Sequence, residues 1–408
     1  MMESPFKNIE IQEEYSTSLS NFKSYYLHFY PSKLIINWLS RNDIKLLKNR
    51  ELCFTMENDK YVRYQSFETL IQFNNRIQKL IPIKIDVGAI YNIEPRYYAN
   101  HKQEADLIFQ EKELIFDIDI SDYDDVRTCC NGTDICSKCW KFIICGAKIL
   151  DRILREDFGF KNYFFDFSGR RGIHCWVCDK KACKLNDKER QMIENYILYD
   201  RINDEFVKTR IKRRLRKRKF VEPIYPSFLE DLSIVKNDYY EIIKEQDLLN
   251  YEEIKKLFKD IIKMYFCLID MEIIESILEN RKMNSLKKVK KIHEYLKKAE
   301  NILKDKNNIT LCHSDSCINE FIMSILSPRL DSMVTRQAVH LLKGPFCVHP
   351  KTGFVSVPMS LELLQQFDLK KIPKIENLIQ KKENDIKYFQ MYVNFFDNFV
   401  KNLNNNEE

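Results

Sequence analysis

Asp117 and Asp119 fall at i and i+2 in the segment FDIDI, Phe116 to Ile120. In an extended strand that spacing sends both carboxylates to one face, and turns Phe116, Ile118 and Ile120 toward the core. Two carboxylates side by side repel one another unless a cation lies between them. Mg²⁺ and Mn²⁺ are hard ions that prefer such oxygen ligands. A pair of these ions can activate a 3′-hydroxyl and stabilise a leaving pyrophosphate. Taken alone, the DxD pattern fits a strand end with two solvated acids equally well. Its neighbours tip the reading.

Ten residues on, Cys129, Cys130, Cys136 and Cys139 form CC-x5-C-x2-C. Four thiolates complete a tetrahedral structural zinc site and leave no position open for chemistry. Small buried cysteines without a metal are the plain alternative. A second group, His174, Cys175, Cys178 and Cys183, is assigned to packing, because Cys175 and Cys178 point to opposite faces of a strand. His174 belongs to the loop SGRRGIH, 168 to 174, with Ser168, Arg170 and Arg171. Its glycines let the backbone approach a ligand, arginine forks match phosphate oxygens, and histidine can donate to a phosphate. It matches neither the GxxxxGK[ST] loop nor GxGxxG, and an ordinary hairpin turn with exposed arginines is its bland counterpart. Carboxylate pair, cysteine cluster and basic loop within about sixty residues together point to metal-dependent nucleotidyl transfer.

These residues need elements to hold them. The runs LCFTM near 52, YVRYQSF at 61 to 67, IKIDVGAIY at 83 to 91 and ELIFDIDI at 113 to 120 carry the β-branched and aromatic content of strands. YFFDF, a turn and GIHCWVCD (163 to 179) read as a hairpin, and a helix is expected over about 140 to 156. Residues 23 to 41 have helical apolar spacing around a break at Pro31. After about Asn186 the chain turns rich in Lys, Glu, Ile and Leu with helical periodicity, as in 251 to 266 and 285 to 304. The mixed texture returns at 329 to 358, and a closing helix is expected from about 375 to 400.

Only 8 glycines and 11 prolines occur among 408 residues, which argues against long flexible linkers. Lys+Arg at 66 exceeds Asp+Glu at 60 by 6, so overall charge permits a nucleic-acid partner without demanding one. There is no run of eighteen apolar residues and no apolar N-terminal stretch before a cleavage-like site, so neither membrane span nor leader is expected. The 13 cysteines then read as reduced intracellular thiols available to metal.

Read in order, YVRYQSF, KIDVGA, FDIDISDYDDVRTCC, EDFGFKNYFFDFSGRRGIHCWVCD, PRLD and HLLKGPFCVHPKTG resemble the signatures of the catalytic small subunit of eukaryotic-type DNA primase, of the archaeo-eukaryotic primase superfamily. The resemblance covers about 20 to 185 and 325 to 360; the helical stretch between carries no signature. It implies an α/β (α+β) primase catalytic core with a bound structural zinc and an inserted all-helical subdomain. The core comprises 1–186 and 310–408, with a zinc module at about 125–142, and the helical subdomain comprises 187–309. It implies that Asp117, Asp119 and Asp331 hold catalytic Mg²⁺ or Mn²⁺, and that Glu51 in RELCF is a further active-site acid. Ser168, Arg170, Arg171 and His174 would hold the triphosphate together with His340, Lys343 and His349. Arg63 and Asp86 would lie near the nucleotide, Asp86 near the ribose, and the four cysteines would bind zinc.

The function implied is synthesis of RNA primers from NTPs on a single-stranded DNA template, in the nucleus. The partners implied are a primase large subunit and the DNA polymerase alpha complex. Two rivals share parts of the pattern. One is a primase-polymerase of damage tolerance or end joining that prefers dNTPs; the other is a catalytically silent zinc-containing subunit that binds single-stranded DNA. The densest basic run, KTRIKRRLRKRK at 208 to 219, is open between a solvated helix face, a template or primer contact and a nuclear-import signal.

Overall fold

The computed structural model describes residues 17–103, 106–198, 226–266, 269–305 and 313–405. The basic run at 208 to 219 lies outside them. Two antiparallel sheets carry the expected strands. In the first, β1 (Arg50–Thr55) lies between β2 (Tyr61–Gln65) and β3 (Lys84–Tyr91). The far side of β3 pairs with β4 (Phe109–Glu111) at one end and with β8 (Leu342–Lys343) at the other. In the second sheet the order is β5 (Leu114–Asp119), β7 (Gly172–Val177), β6 (Tyr163–Phe167) and β9 (Val357–Met359). The expected hairpin is β6–β7, closed where Ser168 N donates to Gly172 O at 2.9 Å.

Apolar periodicity accounts for the packing. The Ser137–Arg152 helix buries Trp140, Phe142, Ile143, Ile149 and Leu150. Trp38 meets Trp176 edge-on at 5.4 Å, and Phe164 and Phe396 close around it. The break at Pro31 separates the Leu19–His28 and Ser32–Ser40 helices. The expected closing helix is two: Ile375–Ile379 and Glu383–Asn405. Between them Lys381 takes φ 56°, a left-handed conformation that no glycine announces. The helix expected over 140 to 156 ends its regular turns at Arg152 and finishes in one wider turn, Ile153–Asp157.

The Pro226–Gln246 helix runs antiparallel to Ser137–Arg152, and charge sets their register. Lys141 pairs with Glu241 at 2.8 Å, Lys148 with Asp238 at 2.9 Å, and Arg152 with Asp231 one step further. The Ser285–Asp305 and Ser314–Leu326 helices pack with it, and Glu252–Tyr265 packs on Ser314–Leu326, Phe258 stacking on Phe321 at 4.1 Å. Residue 187 begins a helix, Asp187–Ile197, that turns back to the sheets: Arg190 donates to the carbonyls of Lys112 and Glu113 at 2.6 and 3.0 Å. Ser314–Leu326 packs among the helices and then delivers the chain to Pro328 and Asp331 at the sheet. Among the described residues no helix is long and apolar enough to cross a membrane.

Candidate active site

β5 supplies Asp117 and Asp119, and their shared face opens into a cavity of about 530 Å³ that Asp122, Arg171, Arg329 and Asp331 also line. Asp331 comes from the other end of the chain. Its backbone N–H donates to the Asp117 carbonyl at 3.1 Å, and its carboxylate caps the Ser332–Arg336 helix by accepting from Met333 N at 2.9 Å. Burial, then the nearby charges of Asp119 and Asp331, pushes the Asp117 carboxyl up to about 8. Asp119 is differently placed: Oδ1 accepts from Ser121 N and Oγ, both at 2.8 Å, and Oδ2 accepts from Arg171 Nε at 2.6 Å. Three carboxylates on one cavity, one of them raised by burial and then by the other two, form a donor set suited to a hard divalent cation.

The basic loop sits at the edge of this cavity because β7 pairs with β5 in register, Asp119 opposite Gly172 and Asp117 opposite His174. Glycine is required at 172, where a Cβ would lie 2.5 Å from the Ile118 carbonyl. Gly169 has φ +83°, and a Cβ there would meet His349 Cβ at 3.0 Å and Lys343 Nζ at 3.3 Å. The loop is latched from the first sheet: Lys343, on β8, donates to the Ser168 carbonyl, and Thr352 Oγ1 donates to the Gly169 carbonyl at 2.7 Å. Ser168 Oγ accepts from Gly172 N at 3.2 Å. Burial and the charges of Lys343, Arg170 and Arg171 hold His349 down to about 3, so it faces this cluster as a neutral ring. His174 is likewise held near 3, by burial and then Lys343.

The remaining expected residues fall on the first sheet. Asp86 lies on β3 opposite Lys343 in the β3–β8 pair and binds Lys84 at 3.1 Å; burial raises its carboxyl. The His340 carbonyl accepts from Lys112 Nζ, and burial lowers the His340 imidazole. Glu51 is fully buried, and its oxygens are taken up by Arg63 (3.0 and 3.1 Å), Tyr64 N and the Tyr91 hydroxyl (both 3.3 Å). It does not line the aspartate cavity. Through these contacts Glu51 holds the Arg63 side chain beside it.

A family model described as DNA primase small subunit matches residues 116–361. The chain is 36% identical over 403 residues to the DNA primase small subunit of Saccharomyces cerevisiae, covering 96% of this chain and 93% of that one. It is 34% identical to that of Schizosaccharomyces pombe, covering 88% and 76%. It is 33% identical to that of Drosophila melanogaster, covering 88% and 80%. The chain belongs to the DNA primase small subunit family. It is a DNA primase, an enzyme of DNA replication.

The primase chain also gathers its four cysteines. The Sγ atoms of Cys129, Cys130, Cys136 and Cys139 all lie within 4.8 Å of one another, with 3.5 Å from Cys136 to Cys129 and 3.9 Å from Cys136 to Cys139. Tetrahedral zinc with Zn–S near 2.3 Å requires sulfurs about 3.8 Å apart, so the cluster fits such an ion. Burial alone would raise the Cys136 thiol, but the N–H groups of Cys139 and Lys138 at the helix start outweigh it and bring it to about 7, toward the thiolate. Gln246 donates to Cys129 Sγ at 3.3 Å and accepts from Thr128 N at 2.8 Å, tying this module to the Pro226–Gln246 helix. Cys175, Cys178 and Cys183 are buried and form no such group.

Sequence reasoning missed the support under Asp331. Glu194, fully buried, accepts from Ser332 Oγ at 2.5 Å and from Arg336 Nε. Asp187 accepts from Ala338 N at 2.9 Å. No spacing rule could have found these partners, since they join segments about 140 residues apart.

Proposed function

We propose that this primase builds RNA primers de novo from NTPs on single-stranded DNA, with Asp117, Asp119 and Asp331 as ligands of two divalent ions. The observation that carries the reading is the cavity shared by three acids and bordered by the basic loop. The ions, when bound, supply Lewis-acid activation of the attacking 3′-hydroxyl and neutralise charge on the leaving pyrophosphate. The chain's own residues do the rest. Ser168, Arg170, Arg171, His174, Lys343 and His349 orient the triphosphate in line, with His340 close by. Arg63, held rigid by Glu51, and Asp86 flank the sugar. Much of the rate then comes from orientation and from fixed charge.

The four cysteines act as a structural zinc site, so Cys136→Ser should lower zinc content and melting temperature together; full zinc in that variant contradicts the role. The described helices within 187 to 309 form a subdomain inserted in the core, apart from Asp187–Ile197, which packs back on the sheets. The chain assembles with a larger primase subunit and the DNA polymerase alpha complex, and works in the nucleus. The relatives' name, DNA primase small subunit, supports the first of these. The decisive experiment is primer synthesis on single-stranded homopolymer DNA with labelled NTPs or dNTPs and Mg²⁺ or Mn²⁺, beside the Asp119→Ala protein. Short RNA made only by the native chain supports the proposal. A preference for dNTPs moves it to the damage-tolerance rival, and template binding without turnover, even from a preformed primer, moves it to the silent binder.

A further inference from the structure

In the second sheet Asp117 of β5, His174 of β7 and Asp166 of β6 stand directly opposite one another in adjacent strands. Opposed residues of antiparallel strands share a face, so a carboxyl–imidazole–carboxyl row crosses the sheet. One end, Asp117, opens into the cavity; the other, Asp166, is fully buried. The His174 ring bridges them, Nε2 lying 3.9 Å from Asp117 Oδ1 and Nδ1 lying 4.0 Å from Asp166 Oδ2. Neither oxygen of Asp166 nor Nδ1 of His174 has a hydrogen-bond partner among the described residues. Of the two groups flanking Asp166, Lys343 Nζ donates to the Ser168 carbonyl, while Ser356 Oγ donates to the Gly344 carbonyl at 3.3 Å and is near enough to Asp166 to offset part of its burial.

A buried carboxyl without hydrogen bonds is costly to the fold. An apolar residue at 166, like the Phe165 and Phe167 beside it, would fill a β-strand position at no such cost. We infer that Asp166 is a positioning residue, which fixes the His174 imidazole with Nδ1 toward the core and Nε2 toward the cavity. The alternative ring orientation, turned by half a revolution about Cβ–Cγ, would put carbon against Asp166 and carbon at the cavity. A carboxyl beneath the ring excludes it: burial favours the protonated form of Asp166, whose O–H can face Nδ1 and leave Nε2–H to donate to a phosphate oxygen. The inference rests on the proposed role of His174 in holding the triphosphate.

The test compares Asp166→Val, Asp166→Asn and His174→Ala, and the Val change in the His174→Ala background, by steady-state primer extension and thermal unfolding. Asp166→Val should raise KM for the nucleotide about tenfold with kcat kept within a factor of about two, the signature of lost uniform binding. Its melting temperature should be equal or higher. Asp166→Asn, whose amide can present an N–H to Nδ1, should recover most of the KM. In the His174→Ala background the Val change should add nothing. A KM that rises in His174→Ala but not in Asp166→Val overturns the inference alone, as does full additivity of the two changes. If neither variant alters KM, the role of His174 falls and the inference with it. A fall in melting temperature with unchanged KM would make Asp166 structural only.

Discussion

Glu113 and Asp117 lie four residues apart on one stretch of chain, the first just ahead of β5 and the second within it, and their surroundings treat the same functional group in opposite ways. Glu113 is fully buried, and burial alone would raise it. Instead Arg50 grips both its oxygens at 2.7 and 2.8 Å, Arg41 adds a contact at 3.4 Å, and the carboxyl is held down to about 2. Asp117 is pushed up to about 8 by burial and by Asp119 and Asp331. The fold neutralises one acid with its own arginines and crowds the other with like charges. On the proposed reading a cation from outside relieves that crowding, and stability and function are divided along one short stretch of chain.

Three substitutions and a pH series break or sharpen that contrast. Asp117→Asn should lower primer synthesis by at least about a thousandfold, some 4 kcal/mol at the transition state, while the melting temperature holds or rises because a crowded acid has gone. Retained synthesis would deny Asp117 its role. Glu113→Gln should do the reverse, costing about 3–5 kcal/mol in urea unfolding by stranding Arg50 without its counter-charge; a loss under about 1 kcal/mol would mean the pair is not integral. Glu194→Gln loosens the helix that Asp331 caps, so half-maximal activity should need about tenfold more Mn²⁺ and recover as Mn²⁺ is raised. Equal loss at all Mn²⁺ concentrations would make the contact merely structural.

The smallest effect is on pH. A folded value of about 8 lies above the unfolded 3.8 of an aspartate. Asp117 therefore binds a proton more readily when folded, and its contribution to the stability of the metal-free protein declines as pH rises from about 4 to 8. Mn²⁺ must displace that proton, so its affinity should strengthen steadily from about pH 6 to 8. Calorimetric titration reads this directly, and a flat profile would contradict the shift.

Local chemistry was legible in the sequence where geometry follows from spacing. The i, i+2 carboxylates, the β6–β7 hairpin around SGRRG, the break at Pro31 and the cysteine cluster all depend on neighbours within about ten residues. Asp331 and Lys343 were legible only through resemblance, because the sheet pairing that brings them in spans more than 170 residues. The partners of Glu51 sit on the neighbouring strands, so its contacts with Arg63 and Tyr91 appear only once the strands are paired. Glu194 and Asp166 left no mark, since an acid in a helix or a strand looks solvated until its burial is known. Lys381 broke the closing helix with no glycine or proline to signal it.

Arg171 has one guanidinium and two claimants. It is bound to Asp119 at 2.6 Å, shielding an acid that would otherwise repel its neighbours. On the proposed reading, a triphosphate draws the same side chain away and uncovers that acid at the moment a metal can use it. Substrate and cation then arrive as a linked pair, each strengthening the hold on the other, and an enzyme short of nucleotide keeps its own catalytic charge locked.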